Sequence, residues 1–155
     1  MDEIVLRPVG RVCSERKDPK DDDWDGVEAY IELDAERFEP DALVGLETFS
    51  HVEVIFAFHR VPQEKICEGS RHPRNHPEWP KVGIFAQRGK SRPNRVGLTT
   101  CRVARVEGLR LYVRGLDAID GTPVIDLKPW MSGFEPRGAR WEPPWARELM
   151  AGYWS

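Results

Sequence analysis

Thirteen glycines and thirteen prolines are scattered through 155 residues, so few stretches run long enough without a breaker to make a helix of ordinary length. Between the breakers lie short runs rich in valine, isoleucine, phenylalanine and tyrosine, which favour extended backbone. Residues 4–12 are expected to form a first strand, bent near Pro8 and Gly10. Residues 27–33 alternate, with Val27, Ala29, Ile31 and Leu33 on one face and Glu28, Tyr30 and Glu32 on the other, the pattern of a half-buried strand. Residues 52–58 are almost continuously apolar and predict a central strand buried on both faces. A short buried strand is expected over 82–86, a hairpin over 98–106 and 109–114 turning through Glu107 and Gly108, and a last strand over 122–127. Residues 39–44 suggest one turn of helix, capped by Asp41 and stopped by Gly45. Pro143 and Pro144 open a short helix that puts Trp145, Leu149 and Tyr153 on one face. Six or seven such strands with one short C-terminal helix predict a mainly β protein, a small barrel.

The length suits a single core. No apolar run approaches the roughly 20 residues of a membrane helix, and the first residues carry two acids rather than the basic start of a secretory signal, so a cytoplasmic, non-membrane protein is expected. Cys13, Cys67 and Cys101 are odd in number and widely spaced, which reads as reduced thiols rather than a disulfide framework. The net charge of −3 gives no general attraction for nucleic acid. Charge is instead clustered: acids at Asp21, Asp22, Asp23 and Asp25, bases at Arg88, Lys90, Arg92 and Arg95.

Three segments could carry chemistry. Cys67, His72 and His76, with His59 as a fourth, have the residue types of a zinc site. Both loop histidines precede prolines and no Cys-x-x-Cys pair accompanies them, so no metal is expected. The second segment runs from Gly83 to Leu98 and delivers Arg88 into a basic, glycine-bearing loop; guanidinium forks grip carboxylates and phosphates at two points. The third is the turn Asp120-Gly121-Thr122-Pro123, in which aspartate caps, glycine takes unusual dihedrals and proline fixes the exit. Asp126 and Lys128 follow it at strand spacing and read first as a structural ion pair.

Five stretches together carry a resemblance: Gly45-Leu46-Glu47-Thr48-Phe49-Ser50-His51, Val54-Ile55-Phe56-Ala57-Phe58-His59, Gly83-Ile84-Phe85-Ala86 with Arg88, Arg92-Pro93-Asn94 with Gly97-Leu98, and the run from Asp120 to Pro129. In this order they resemble the TrmO, or YaeB-like, family of tRNA methyltransferases, from about residue 7 to Trp130. The resemblance implies a single-sheeted barrel over residues 1–135 that binds S-adenosyl-L-methionine, followed by a C-terminal loop and helix over 136–155. It implies a homodimer with the cofactor near the subunit interface, and methylation of N6 of threonylcarbamoyladenosine beside the anticodon of threonine tRNA. Carried over by motif position, the cofactor residues are Trp24, Asp25, Gly26, His59, Arg60, Arg88, Leu98, Asp120, Gly121, Thr122 and Pro123. Lys90, Arg92, Asn94 and Arg95 would face the RNA, and Asp126 or His59 would serve as general base. The chain departs from the family pattern at Gln87, Arg95, Thr99 and Trp130, and the extra C-terminal domain of many bacterial members is not expected in it. Alternative readings are a non-catalytic RNA-binding barrel, or a methyltransferase acting on another RNA or a small molecule.

Overall fold

Alternation of apolar and polar side chains builds the wall of this molecule. In the computed structural model, which describes residues 1–155, the strands are β1 (Gly10–Ser14), β2 (Glu28–Leu33), β3 (His51–Ala57), β4 (Ser70–Arg71), β5 (Val82–Gly83), β6 (Val96–Glu107), β7 (Arg110–Arg114) and β8 (Pro123–Pro129), and the one helix is α1 (Pro144–Met150). Six strands close into an antiparallel barrel in the order β1-β2-β7-β6-β3-β8, and β4 and β5 form a separate two-stranded ribbon. Inward positions supply the core: Val12, Ala29, Ile31, Leu33, Val52, Val54, Phe56, Cys101, Leu111, Val113 and Val124. Leu43, and Leu116 with Ala118, join the same cluster from loops. Two register shifts, at Ile55/Phe56 against β8 and at Val103/Arg105 against β7, are the local bends that let so few strands curl shut.

The barrel, the hairpin turning at left-handed Gly108 and the short C-terminal helix agree with the sequence expectation. Four elements differ. The first strand begins only at Gly10, and Ile4, Val5 and Leu6 are exposed, because Pro8 has no N–H to carry the ladder further along β8, which itself continues to Pro129. β3 is buried on one face only, since a barrel wall has an inside and an outside. Residues 82–86 give a two-residue strand and a 3-10 turn with Phe85 exposed, because β4 offers only Ser70 and Arg71 as partners. Residues 39–44 make successive i-to-i+3 turns rather than a helical turn, with Ala42 N–H donating to Glu39 and Val44 N–H to Asp41.

Glycine is required where β1 meets β2. A Cβ on Gly10 would collide with the Glu32 carbonyl, which is backbone and cannot swing away. Gly10→Ala is therefore expected to lower stability by about 1–3 kcal/mol, read as a fall in the urea midpoint at unchanged slope.

Candidate active-site rim

Antiparallel order decides which loops meet. The Ala57 end of β3 lies beside Val96 at the start of β6 and near Val124 at the start of β8, and Arg11 near the start of β1 pairs with Pro123. The loops that follow β1 and β3 and precede β6 and β8 therefore share one rim. His59 and Arg60, the 88–95 loop and the Asp120–Pro123 turn all belong to it, although they are up to 64 residues apart in sequence.

The Asp120 turn is fastened to the chain leaving β1. Asp120 Oδ1 accepts the Ser14 N–H at 3.0 Å, Asp120 N–H donates to the Arg16 carbonyl at 2.9 Å, and Gly121 N–H donates to Val12 at 2.8 Å. Thr122 is buried and donates both its N–H and its hydroxyl to the Ile119 carbonyl. All three turn amides are thus used internally and are closed to an incoming carboxylate. Gly121 has φ of +77°, and a Cβ there would sit 4.0 Å from His59 Nε2. His59 is exposed beside this turn, and Arg60 donates to the Lys17 carbonyl at 3.0 Å, tying the β3 exit to the same loop. Partial burial and the Arg60 charge hold the His59 imidazole below its ordinary pKa, only partly opposed by the Ala57 carbonyl.

Arg88 lies on the outer wall of the same rim. It donates one guanidinium N–H to the Leu98 carbonyl at 2.6 Å and keeps its other donors free. Leu98 is exposed and pairs with Ile55, whose other neighbour is Asp126. Leu98 and Asp126 therefore flank one outward residue, about 10 Å apart across two strand spacings. Asp126 accepts the Leu127 N–H at 2.9 Å and pairs with Lys128 at 3.2 Å. In the basic loop, Arg92 donates to the Gln87 carbonyl and Arg95 to Val61, both at 2.7 Å, so these two arginines brace the loop. Lys90 and Asn94 are exposed, with no side-chain partner.

Trp24, Asp25 and Gly26 belong to the loop that follows β1 on the same rim. Trp24 is buried under Arg16, whose guanidinium lies 3.6 Å from the indole centre, and the Asp25 carboxylate pairs with Arg102 at 2.6 Å. Trp24 N–H and Asp25 N–H donate to Tyr153 and Trp154, which fastens the C-terminal segment to this loop. His72 Nδ1–H donates to the Trp79 carbonyl, His76 stacks on the Trp79 ring, and no group of three or more His, Cys, Asp or Glu is gathered for a metal.

Two features escape sequence reasoning. Arg16 donates to the carbonyls of Lys20, Asp22 and Asp23 while its own carbonyl holds Asp120, so it couples the acidic loop to the turn. Its only signal is a lone arginine before an acidic run. Asp117, inside the apolar stretch Leu116–Ile119, accepts hydrogen bonds from Thr99 and Tyr153. Burial and this carboxylate push the Tyr153 phenol up and the Cys101 thiol up to about 12, so Cys101 stays an unreactive thiol.

Residues 14–135 match the model of the tRNA-methyltransferase O N-terminal domain. The chain belongs to the TrmO family. Among members, it is 40% identical over 139 residues to a probable S-adenosyl-L-methionine-binding protein of Methanothermobacter thermautotrophicus, covering 88% of this chain and 96% of that one. It is also 40% identical over 94 residues to the mouse tRNA (adenine(37)-N6)-methyltransferase, covering 61% of this chain and 21% of the mouse protein. The crystal structure of TrmO from Pseudomonas aeruginosa superposes with a TM-score of 0.73 at 26% identity, covering 93% of this chain and 62% of that one. The match thus spans about a fifth of the mouse protein and under two thirds of the Pseudomonas chain. No helix of this chain is long and apolar enough to cross a membrane.

The environment of His59 gives a direct test. Its imidazole should titrate in NMR below the midpoint of a free histidine, and Arg60→Ala should move that midpoint upward by removing a like charge.

Proposed function

We propose that this protein is an S-adenosyl-L-methionine-dependent tRNA adenine-N6 methyltransferase, acting on N6 of threonylcarbamoyladenosine beside the anticodon of threonine tRNA as a cytoplasmic homodimer. The observation that carries this reading is the meeting of His59 with the Asp120–Thr122 turn on the rim that also bears Arg88 and Leu98. The match to the tRNA-methyltransferase O domain and the printed names of the relatives supply the substrate class and the cofactor.

The residues of the rim fit the cofactor by chemistry. Arg88 keeps guanidinium donors free for the methionine carboxylate, which the committed turn amides could not hold. Asp120 uses one carboxylate oxygen on Ser14, leaving the other for an amine or a ribose hydroxyl. Leu98 offers an exposed apolar wall to adenine. Trp24, Asp25 and Gly26 contribute from the neighbouring loop, which Arg16 joins to Asp120. When bound, S-adenosylmethionine supplies a methyl group activated by its sulfonium sulfur.

The acceptor nitrogen is urea-like and carries a proton that must leave at or after attack. His59 is the better acceptor of the two candidate bases. Its depressed pKa keeps it neutral at physiological pH, whereas Asp126 already takes the Leu127 amide and Lys128. Asp126 then acts as an orienting charge on the outer wall. Lys90 and Asn94 have no side-chain partner and are free to meet RNA, and Arg92 and Arg95, each spending one guanidinium N–H on a loop carbonyl, keep their remaining donors for it. The dimer reading is supported by the exposed apolar residues Phe85, Val96 and Leu98 beside Arg88.

Methyl incorporation into threonine tRNA from a strain without the gene tests the reading; cofactor-dependent heat without incorporation would move the substrate elsewhere, and no heat at all would leave an RNA-binding barrel. Arg88→Ala should weaken cofactor binding by about tenfold or more in calorimetry, the loss of a charged hydrogen bond, and a folded variant with unchanged affinity would remove Arg88 from the site. The rate should rise with pH through the depressed imidazole pKa and then level, and His59→Ala should abolish that limb with a loss of about a hundredfold or more.

A further inference from the structure

The wall formed by β1, β2, β7 and the far half of β6 carries a regular array that the rim does not use. Pairing aligns Cys13, Tyr30, Tyr112 and Arg105 in one cross-strand row. The next row is Arg11, Glu32, Arg110 and Glu107, and on the other side Glu28 aligns with Arg114 and Arg102. The two tyrosine rings lie 5.3 Å apart, Arg105 stacks on Tyr112 at 3.6 Å and Arg110 lies 5.3 Å from the Tyr30 ring centre. Beyond Glu32 and Arg110 the surface falls into a groove of about 770 Å³, lined also by Pro8, Leu33 and Leu109.

We propose that this face is a second RNA-contact surface, on which single-stranded nucleotides stack on the Tyr30–Tyr112 pair while Arg11, Arg105, Arg110 and Arg114 take the phosphates. The inference rests on the proposed reading only in that the substrate is an RNA. Half-buried tyrosines side by side on an open sheet offer aromatic surface to bases, and Arg105, which covers one face of Tyr112, presents its own guanidinium plane for stacking. The chain as a whole repels polyanions at −3, yet this wall sets five arginines against Glu28, Glu32 and Glu107, with Asp25 at its edge on Arg102. Arg11 and Arg110 share one carboxylate, Glu32, and Arg105 pairs with Glu107. Those pairs are exposed, so exchanging a carboxylate for a phosphate costs little. Arg114 touches no carboxylate at all, only the Asp25 carbonyl at 3.3 Å. The face also lies across the barrel from β3 and β8, so an RNA seated on it leaves the wall beside Arg88 free.

The test is fluorescence anisotropy of a short labelled single-stranded RNA of mixed sequence, and of total tRNA, with the full chain. Tyr30→Leu with Tyr112→Leu should weaken binding about tenfold or more while S-adenosylmethionine affinity in calorimetry stays unchanged. Arg105→Gln with Arg114→Gln keeps the tyrosines and should reduce the salt dependence, by about 0.7 in log–log slope for each lost phosphate contact. Folded variants that bind RNA within twofold of the parent would overturn the proposal. So would loss of binding only on Lys90→Ala with Asn94→Ala, or self-association of the chain that the tyrosine variants abolish, which would give the face to a second copy. If methyl transfer is absent but the face variants lose RNA affinity, the surface stands and the methyltransferase reading falls.

Discussion

The seam between β1 and β8 is the contact on which the rest of the molecule depends. β1 pairs along its whole length with β2, but β8 meets it only at Gly10–Val124 and Arg11–Pro123, and the neighbouring bonds from Val9, Val12 and Gly121 complete the join. A sheet of six short strands left open there would present two unpaired edges and half a core to water. Closing it also has a chemical consequence. The same few hydrogen bonds that shut the barrel bind the Asp120 turn to the chain leaving β1, so the candidate site is assembled by the act of closure.

That arrangement explains why the rim can be polar without collapsing. Asp120, Arg16, Arg60, Arg92 and Arg95 each spend hydrogen-bonding capacity on backbone groups of neighbouring loops. Long side chains are thereby fixed, and Arg88, Lys90, Asn94 and His59 are left with unspent donors or acceptors. The interior of the rim is sealed by Leu116, Ala118 and Ile119, with Asp117 held by Thr99 and Tyr153. No buried side-chain nitrogen or oxygen lacks a partner. The C-terminal segment belongs to this scaffold, since its carbonyls receive the amides of Trp24 and Asp25.

The two proposed faces differ in kind. The rim gathers single residues from remote loops, which suits a small ligand held at several points. The β1-β2-β7-β6 wall sets aromatic and charged residues in successive cross-strand rows, which suits an extended polymer. Both follow from one barrel because every strand has an inner face that must be apolar and an outer face that is free to vary.

Much of this was legible in the chain. Breaker spacing and alternation gave the barrel, the hairpin at Gly108 and the final helix, because period-two burial is a local property. The stretches around His59, Arg88 and Asp120 stood out as polar endings to apolar runs, and by resemblance they pointed to a family that residues 14–135 match. Residues 82–86 misled because an apolar run does not say whether a partner strand exists. Arg92 and Arg95 read as RNA contacts, and the carbonyls of Gln87 and Val61 that they also meet could not be seen in a sequence of charges. The role of Arg16, the burial of Trp24 beneath it and the alignment of Tyr30 with Tyr112 and Arg105 were decided only by strand order and register. Those pairings join residues far apart in the chain, and their free energy depends on closing the barrel rather than on any local preference of the residues themselves.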